Sequence, residues 1–255
     1  MGPILVTGGT ATLGRPLVRQ LRDAGHEVRV FSRRSRPEGE VGWAAGDLVT
    51  GRGVDEAVAG VEAIVHCASD PKRPRDDREA GRNLIAAAAS AGSSHLVYIS
   101  IVGVDRIPFG YYKAKWEVER LVEGSGLPWT ILRATQFHDL VLSLLESVAR
   151  LPVMPLPAAT SVQPVEAAEV AAHLAVLAGG GAQGRVPEMG GPEVRDVGDL
   201  ARAYLRARGR RRPLLRVPIP GSMAAALRRG ALLAPDHATG RRTWEEFLAA
   251  KRWQE

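Results

Sequence analysis

Apolar positions in this 255-residue chain follow two alternating rhythms. Short, mostly apolar runs at 4–7, 28–31, 63–66, 95–100 and 129–133 have strand length and are bounded by Gly, Asp, Ser or Pro. Between them, residues 13–24, 76–91, 111–123 and 137–149 repeat apolar residues three and four apart, the spacing of a helix with one buried face. Residues 42–45 add a strand and 54–59 a short helix, while Gly25 and Gly92 provide helix stops. Such regular strand–helix alternation predicts an α/β fold, a doubly wound parallel sheet covered on both faces.

The second half is less regular. Pro152, Pro155 and Pro157 exclude a helix there. Helices are predicted at 165–178, 196–208, 223–233 and 241–252, with strands at 185–189 and 214–217. Residues 1–150 are expected to form the nucleotide-binding domain and 151–255 a small C-terminal α/β cap shaping a substrate pocket, with 165–180 packing back on the first domain.

Composition narrows the classes. An apolar share of 45% suits a globular protein, and no run reaches the roughly 20 apolar residues of a membrane span. The first residues read as a strand entering a glycine loop, not a signal peptide, so a cytoplasmic protein with no membrane partner is expected. Cys67, the single cysteine, rules out an intrachain disulfide and is expected to be a buried, inert thiol. The net charge of +6 comes from scattered arginines, apart from Arg33–Arg34 and the 206–212 cluster at a predicted helix end. Cations suit that end, and no nucleic-acid partner is expected. The histidines show no ligand spacing, so no metal site is expected.

The strongest motif is Val6-Thr7-Gly8-Gly9-Thr10-Ala11-Thr12-Leu13-Gly14, between a strand and a helix. This is the context of a dinucleotide fingerprint: Gly8 for the tight turn, Gly14 for close helix–strand approach, and free N–H groups at the helix start for a pyrophosphate. Ala11 stands at a usual glycine position, where its methyl would press on the pyrophosphate. After the second strand come Ser32, Arg33 and Arg34, where an NAD site usually has an acidic residue. Two guanidinium groups suit a 2′-phosphate, so the expected cofactor is NADP(H). Asp47 and Leu48, after the third strand, are expected against the adenine ring.

Together with Tyr98-Ile99-Ser100 and Tyr111-Tyr112-Lys113-Ala114-Lys115, these motifs resemble the short-chain dehydrogenase/reductase superfamily. More narrowly, the chain resembles its atypical, NmrA-like branch of NAD(P)-binding reductases and epimerases, over nearly its whole length. The resemblance implies Tyr111 as proton donor, Lys115 beside it and on the nicotinamide ribose, and Ser100 on the substrate oxygen. Spacing of four puts Tyr111 and Lys115 on one helical face, where the ammonium would lower the phenol pKa. Ser100 and Tyr111 lie closer in sequence than is usual for the superfamily. Its asparagine has no clear counterpart; Asn83 is a candidate by location. Asp70, His138 and Gln163 are candidates for substrate contact. The expectation is an NADPH-dependent reductase of a small carbonyl, quinone or similar apolar or aromatic molecule, as a monomer or homodimer. Two alternatives stay open: a non-catalytic NADP(H)-sensing regulator, and a non-redox cyclase or isomerase on the same scaffold.

Overall fold

The computed structural model describes residues 2–33, 41–92 and 95–253. Its first half follows the predicted alternation: β1 (Ile4–Thr7), α1 (Gly14–Asp23), β2 (Val28–Ser32), β3 (Gly42–Ala45), α2 (Val54–Val58), β4 (Ala63–His66), α3 (Pro74–Ser90), β5 (His95–Ile101), α4 (Gly110–Glu123), β6 (Trp129–Ala134) and α5 (His138–Val148). With the later β9 (Gly184–Arg185) these strands make one seven-stranded sheet in the order β3-β2-β1-β4-β5-β6-β9, parallel throughout. The order reverses beside β1, which brings the ends of β1 and β4 together at a crevice, the usual ligand position in such sheets.

Both faces are covered, which is why the central strands read as unbroken apolar runs. On one face, Leu17 and Leu21 of α1 pack with Val170 and Leu174 of α6 (Ala167–Gly179) against Val6, Val65 and Val97. On the other, Leu84 of α3 and Val118 and Val122 of α4 pack against Leu5, Ile64, Leu96 and Ile131. Each strand therefore sends alternate side chains to opposite layers.

The C-terminal part departs from expectation in its small elements. The proline-rich stretch forms β7 (Met154–Pro157), paired in parallel with β11 (Leu214–Val217). Proline is tolerated because this two-stranded sheet leaves edge positions that need no donor. β8 (Ser161–Val162) pairs antiparallel with β10 (Arg195–Asp196). The strand expected at 185–189 shrinks to β9, plus a single bridge between Ala134 and Met189. α7 (Val197–Ala207) starts at Asp196, whose carboxylate accepts from Gly198 N at 2.8 Å. α8 (Gly221–Arg228) and α9 (Trp244–Ala249) are shorter than predicted. The start of α9 is fixed by a capping box between Thr243 and Glu246. A third apolar cluster joins Leu142 and Leu145 of α5, Leu200 and Tyr204 of α7, and Trp244 and Phe247 of α9. No helix of the described residues is long and apolar enough to cross a membrane.

Candidate active site

The loop between β1 and α1 has the geometry of a phosphate cradle. Gly8 lies at φ +71°, and a Cβ there would come within 2.8 Å of Ala68 N on the neighbouring strand end. A Cβ on Gly14 would meet Gly8 O at 2.1 Å, so only glycine lets the helix start so close to the strand. The turn is closed by Ala11 N donating to Gly8 O at 3.0 Å, and Arg15 Nε holds Thr10 O at 2.7 Å. Ala11 and Thr12 are exposed at its crest while Leu13 is buried beneath. No acidic residue sits in the first turn of α1 and no side chain caps it, leaving its positive dipole end open to an anion. These features fit a dinucleotide pyrophosphate.

At the end of β2, Ser32 closes the strand and Arg33 is exposed beyond it; Arg34 lies outside the described residues. After β3, Asp47 folds into a tight turn, its Oδ1 accepting from Val49 N at 2.9 Å, with Leu48 buried. Asn83 of α3 clamps this turn: its Nδ2 donates to Leu48 O at 2.8 Å and Val49 O at 3.0 Å. Asn83 is therefore committed to the turn after β3 and not to the catalytic group for which its position suggested it.

Tyr111 and Lys115 lie beside the C-terminal ends of β4 and β5. Tyr111, in the first turn of α4, has its hydroxyl 2.9 Å from Ser69 Oγ, just past β4. Ser69 in turn donates to Asp77 Oδ2 at 2.5 Å, and Asp70 N donates to Asp77 Oδ1 at 2.9 Å. Lys115, one turn along α4, is buried; its Nζ donates to Ile99 O at 2.7 Å and lies 4.3 Å above the Tyr98 ring. Burial drives its pKa down to about 8, against the opposing pull of Asp77, Cys67 and Glu119. The phenol of Tyr111 is pushed up to about 12, first by burial, with the Ser69 hydrogen bond opposing and Asp77 and Asp70 reinforcing. The expected lowering of the phenol by Lys115 is thus not found: burial sets the direction of the shift, and Asp77 and Asp70 reinforce it. Burial likewise takes His66 down to about 3 and Cys67 up to about 12. His66 is neutral, and its Nδ1 accepts from Thr7 Oγ1 at 2.7 Å, while Thr7 accepts from Ala68 N.

Ser100 is buried on the α4 side of β5. Across β6 there lies an ion-pair network. Arg133 grips Glu119 with Nε at 2.9 Å from Oε1 and an Nη at 2.7 Å from Oε2, and reaches Asp105 at 3.1 Å. Arg185 adds a 2.8 Å contact to Glu119. Burial alone would raise the Glu119 carboxyl; the hydrogen bonds from Arg133 and the charges of Arg133 and Arg185 hold it below its usual range. Glu119 continues the stripe of Tyr111 and Lys115 down α4, so the network anchors the helix that carries them.

The three substrate-contact candidates fare differently. Asp70 stays at the site, near Tyr111. His138 does not: it is buried against Phe247 and Trp244, with ring centroids 4.9 and 5.7 Å away, and its Nε2 holds Arg242 O at 3.0 Å. Gln163 is fully buried, its Nε2 donating to Gly191 O at 2.8 Å and its Oε1 accepting from Ala234 N at 2.8 Å. Both tie the C-terminal segments to the main sheet, and neither has a face for substrate. Sequence reasoning missed Ser69 and Asp77, although their place just after β4 and in the first turn of α3 marks the same sheet edge. It also missed Tyr112, which packs edge-on against Phe109 and beside Ile107, Met223 and Leu232. Burial raises the Tyr112 phenol to about 12, opposed by a hydrogen bond with Gln136. Cavities of about 390 Å³ and about 410 Å³ flank Lys251 and Trp253, and neither is lined by the residues of the sheet edge.

A parallel sheet with this strand order and a glycine cradle at its switch point defines a dinucleotide-binding protein of the Rossmann type. A profile of NAD(P)H-binding proteins matches residues 8–143, from the glycine loop into α5. The chain belongs to this NAD(P)H-binding family. It is 34% identical over 217 residues to the (4-alkanoyl-5-oxo-2,5-dihydrofuran-3-yl)methyl phosphate reductase of Streptomyces griseus, covering 81% of this chain and 74% of that one. The ceramide reductase of Caulobacter vibrioides is 28% identical, covering 88% of this chain and 76% of that protein. Among solved structures, an NADPH-dependent quinone oxidoreductase from Escherichia coli, complexed with NADPH, superposes with a TM-score of 0.81 at 20% identity. That match covers 96% of this chain and 98% of the other, and establishes the shared fold.

Proposed function

We propose that this protein is an NADPH-dependent reductase of a small carbonyl, quinone or related apolar or aromatic molecule, with Tyr111 as proton donor. The observation that carries the reading is the Tyr111 hydroxyl at the sheet edge shared with the glycine cradle, 2.9 Å from Ser69 Oγ and one helical turn from the buried Lys115. A phenol there is protonated at neutral pH and can give its proton to a substrate oxygen. The bound nicotinamide would supply the hydride. Gly8, Thr10, Ala11, Thr12, Leu13 and Gly14 would hold the pyrophosphate, and Asp47 and Leu48 the adenine side. Arg33, with Ser32 and Arg34, would bind the 2′-phosphate; the basic residue after β2 favours NADPH over NADH.

Lys115 adds a buried positive charge beneath the reacting groups and would contact the nicotinamide ribose. The apolar wall of Phe109, Ile107, Met223 and Leu232, with the polar Tyr112–Gln136 pair, suits an apolar substrate bearing a polar group. The reductases named among its relatives support the reaction type.

The test begins with fluorescence titration of the purified protein by NADPH and NADH. NADPH should bind at micromolar concentration and more tightly than NADH, and Arg33→Ala should shrink that preference at least ten-fold. NADPH oxidation at 340 nm with quinones, aldehydes and ketones should then depend on Tyr111, with Tyr111→Phe losing at least a hundred-fold in kcat. Tighter NADH binding, or product formed without nicotinamide oxidation, would refute the proposal.

A further inference from the structure

Tyr111 must recover a proton after every turnover if it is the donor proposed above, and the geometry points to the path. Ser69 Oγ lies 2.9 Å from the phenol oxygen and 2.5 Å from Asp77 Oδ2. A serine hydroxyl has one proton and two acceptor sites. Asp77 accepts that proton, so the Tyr111 hydroxyl donates to Ser69 and the resting chain runs Tyr111 to Ser69 to Asp77. Asp77 is buried, both its oxygens are engaged, and it sits in the first turn of α3, where the helix dipole favours its charge. Ser69 is exposed. It is thus a hydroxyl held rigidly on one side and open to water on the other. Lys115 spends a hydrogen bond on Ile99 O and lies over Tyr98.

We propose that Ser69 is the group through which Tyr111 is reprotonated from solvent, and that Asp77 is the positioning residue that holds Ser69 in line. The step balances as follows. The substrate carbonyl gains hydride at carbon from reduced nicotinamide and the phenolic proton at oxygen. The Tyr111–Ser69 hydrogen bond then reverses: the phenolate takes the Ser69 proton, and Ser69 takes one from water. Each alcohol formed consumes one NADPH and one solvent proton. The chain supplies this path from β4 and α3, in a protein with no clear counterpart to the asparagine its resemblance implied. The proposal rests on Tyr111 as donor, but its hydrogen-bond coupling can be read without any substrate.

The experiment compares the rate of Tyr111 nitration by tetranitromethane at pH 8 in wild type, Ser69→Ala, Ser69→Thr and Asp77→Asn, assigned by peptide fragmentation. The reagent attacks phenolate. Asp77→Asn should speed nitration at least three-fold, because a charge that keeps the phenol protonated is gone. Ser69→Ala should slow it at least two-fold, because the phenolate loses the reversed hydrogen bond it would accept from Ser69, and Ser69→Thr should match wild type. Equal rates in all four proteins, or acceleration in both Ser69→Ala and Asp77→Asn, would overturn the coupling, the second result marking mere loosening of the site. In turnover with NADPH and 9,10-phenanthrenequinone, Ser69→Ala should lose about ten-fold in kcat with KM and NADPH affinity unchanged. Its solvent deuterium isotope effect should rise, and Ser69→Thr should restore the rate. If turnover needs Tyr111 yet Ser69→Ala keeps kcat within two-fold, the relay is wrong. If Tyr111→Phe turns over normally, the donor assignment fails, while the nitration result still reports the hydrogen-bonded chain.

Discussion

Replacing Glu119 by glutamine tests whether the ion-pair network anchors the helix carrying Tyr111 and Lys115. The Glu119 side chain is 0% exposed and Arg133 only 13%. Glutamine keeps the shape but cannot accept both guanidinium bonds, leaving Arg133 with Asp105 at 3.1 Å as its nearest anion. Removing one partner of a buried pair costs about 3–5 kcal/mol, and retention of Asp105 argues for the lower end, about 3 kcal/mol. For a chain of this size that lowers Tm by roughly 6–12 °C. Arg185→Ala is the control: at 38% exposure its pairs are solvent-screened, and the loss should stay below about 1 kcal/mol. Thermal and urea unfolding at pH 7 give both values. The pH dependence gives a second check. The folded-state pKa of Glu119 is depressed, so its contribution is present above the unfolded value of about 4.3 and is lost as pH falls through the folded one. The wild-type advantage over Glu119→Gln should therefore narrow below pH 4. A loss under about 1 kcal/mol at pH 7, or a gap unchanged at pH 3, would refute the anchoring argument.

Lys115 gives a pH dependence of the same sign in an alkaline window. Its pKa falls from 10.5 to about 8 in the folded state, so the unfolded chain holds the extra proton between those values and stability rises with pH there. The gain over Lys115→Met between pH 7.5 and 10, read from urea midpoints, should reach about 2.5 kcal/mol at ~1.4 kcal/mol per unit; a flat difference would contradict the burial argument. His138→Ala should cost about 3 kcal/mol by opening a cavity against Phe247 and Trp244, yet leave the NADPH Kd within two-fold. A ten-fold weaker Kd would return His138 to the site. Asn83→Ala removes two hydrogen bonds to the turn after β3 and should cost about 1–2 kcal/mol and weaken NADPH binding several-fold by titration.

What the sequence determined by itself was the frame. β1, β2 and β4 through β6, with helices α1 and α3 through α5, repeat locally readable periods, and each is long enough for its apolar face to be unambiguous. The glycine loop was legible because the demand for small residues is local: Gly8 needs its left-handed turn and Gly14 its close approach to Gly8 O. The strands β7, β8 and β10 were not legible, because two residues, or four broken by prolines, show no apolar pattern and their pairing partners are remote in sequence.

Side-chain roles divided along the same line. Tyr111 and Lys115 share a helical face by spacing alone, but their electrostatics come from residues that only folding brings near. Ser69 reaches Tyr111 across 42 positions, and His138 finds Arg242 across 104. In sequence His138 looked like an active-site residue because it follows β6; packing of α9 over α5 buried it instead. Gln163 was likewise used up by the backbone of Gly191 and Ala234. Tertiary structure alone decides which polar groups stay open to a ligand, because a buried polar atom must find a partner and takes whichever one the fold delivers.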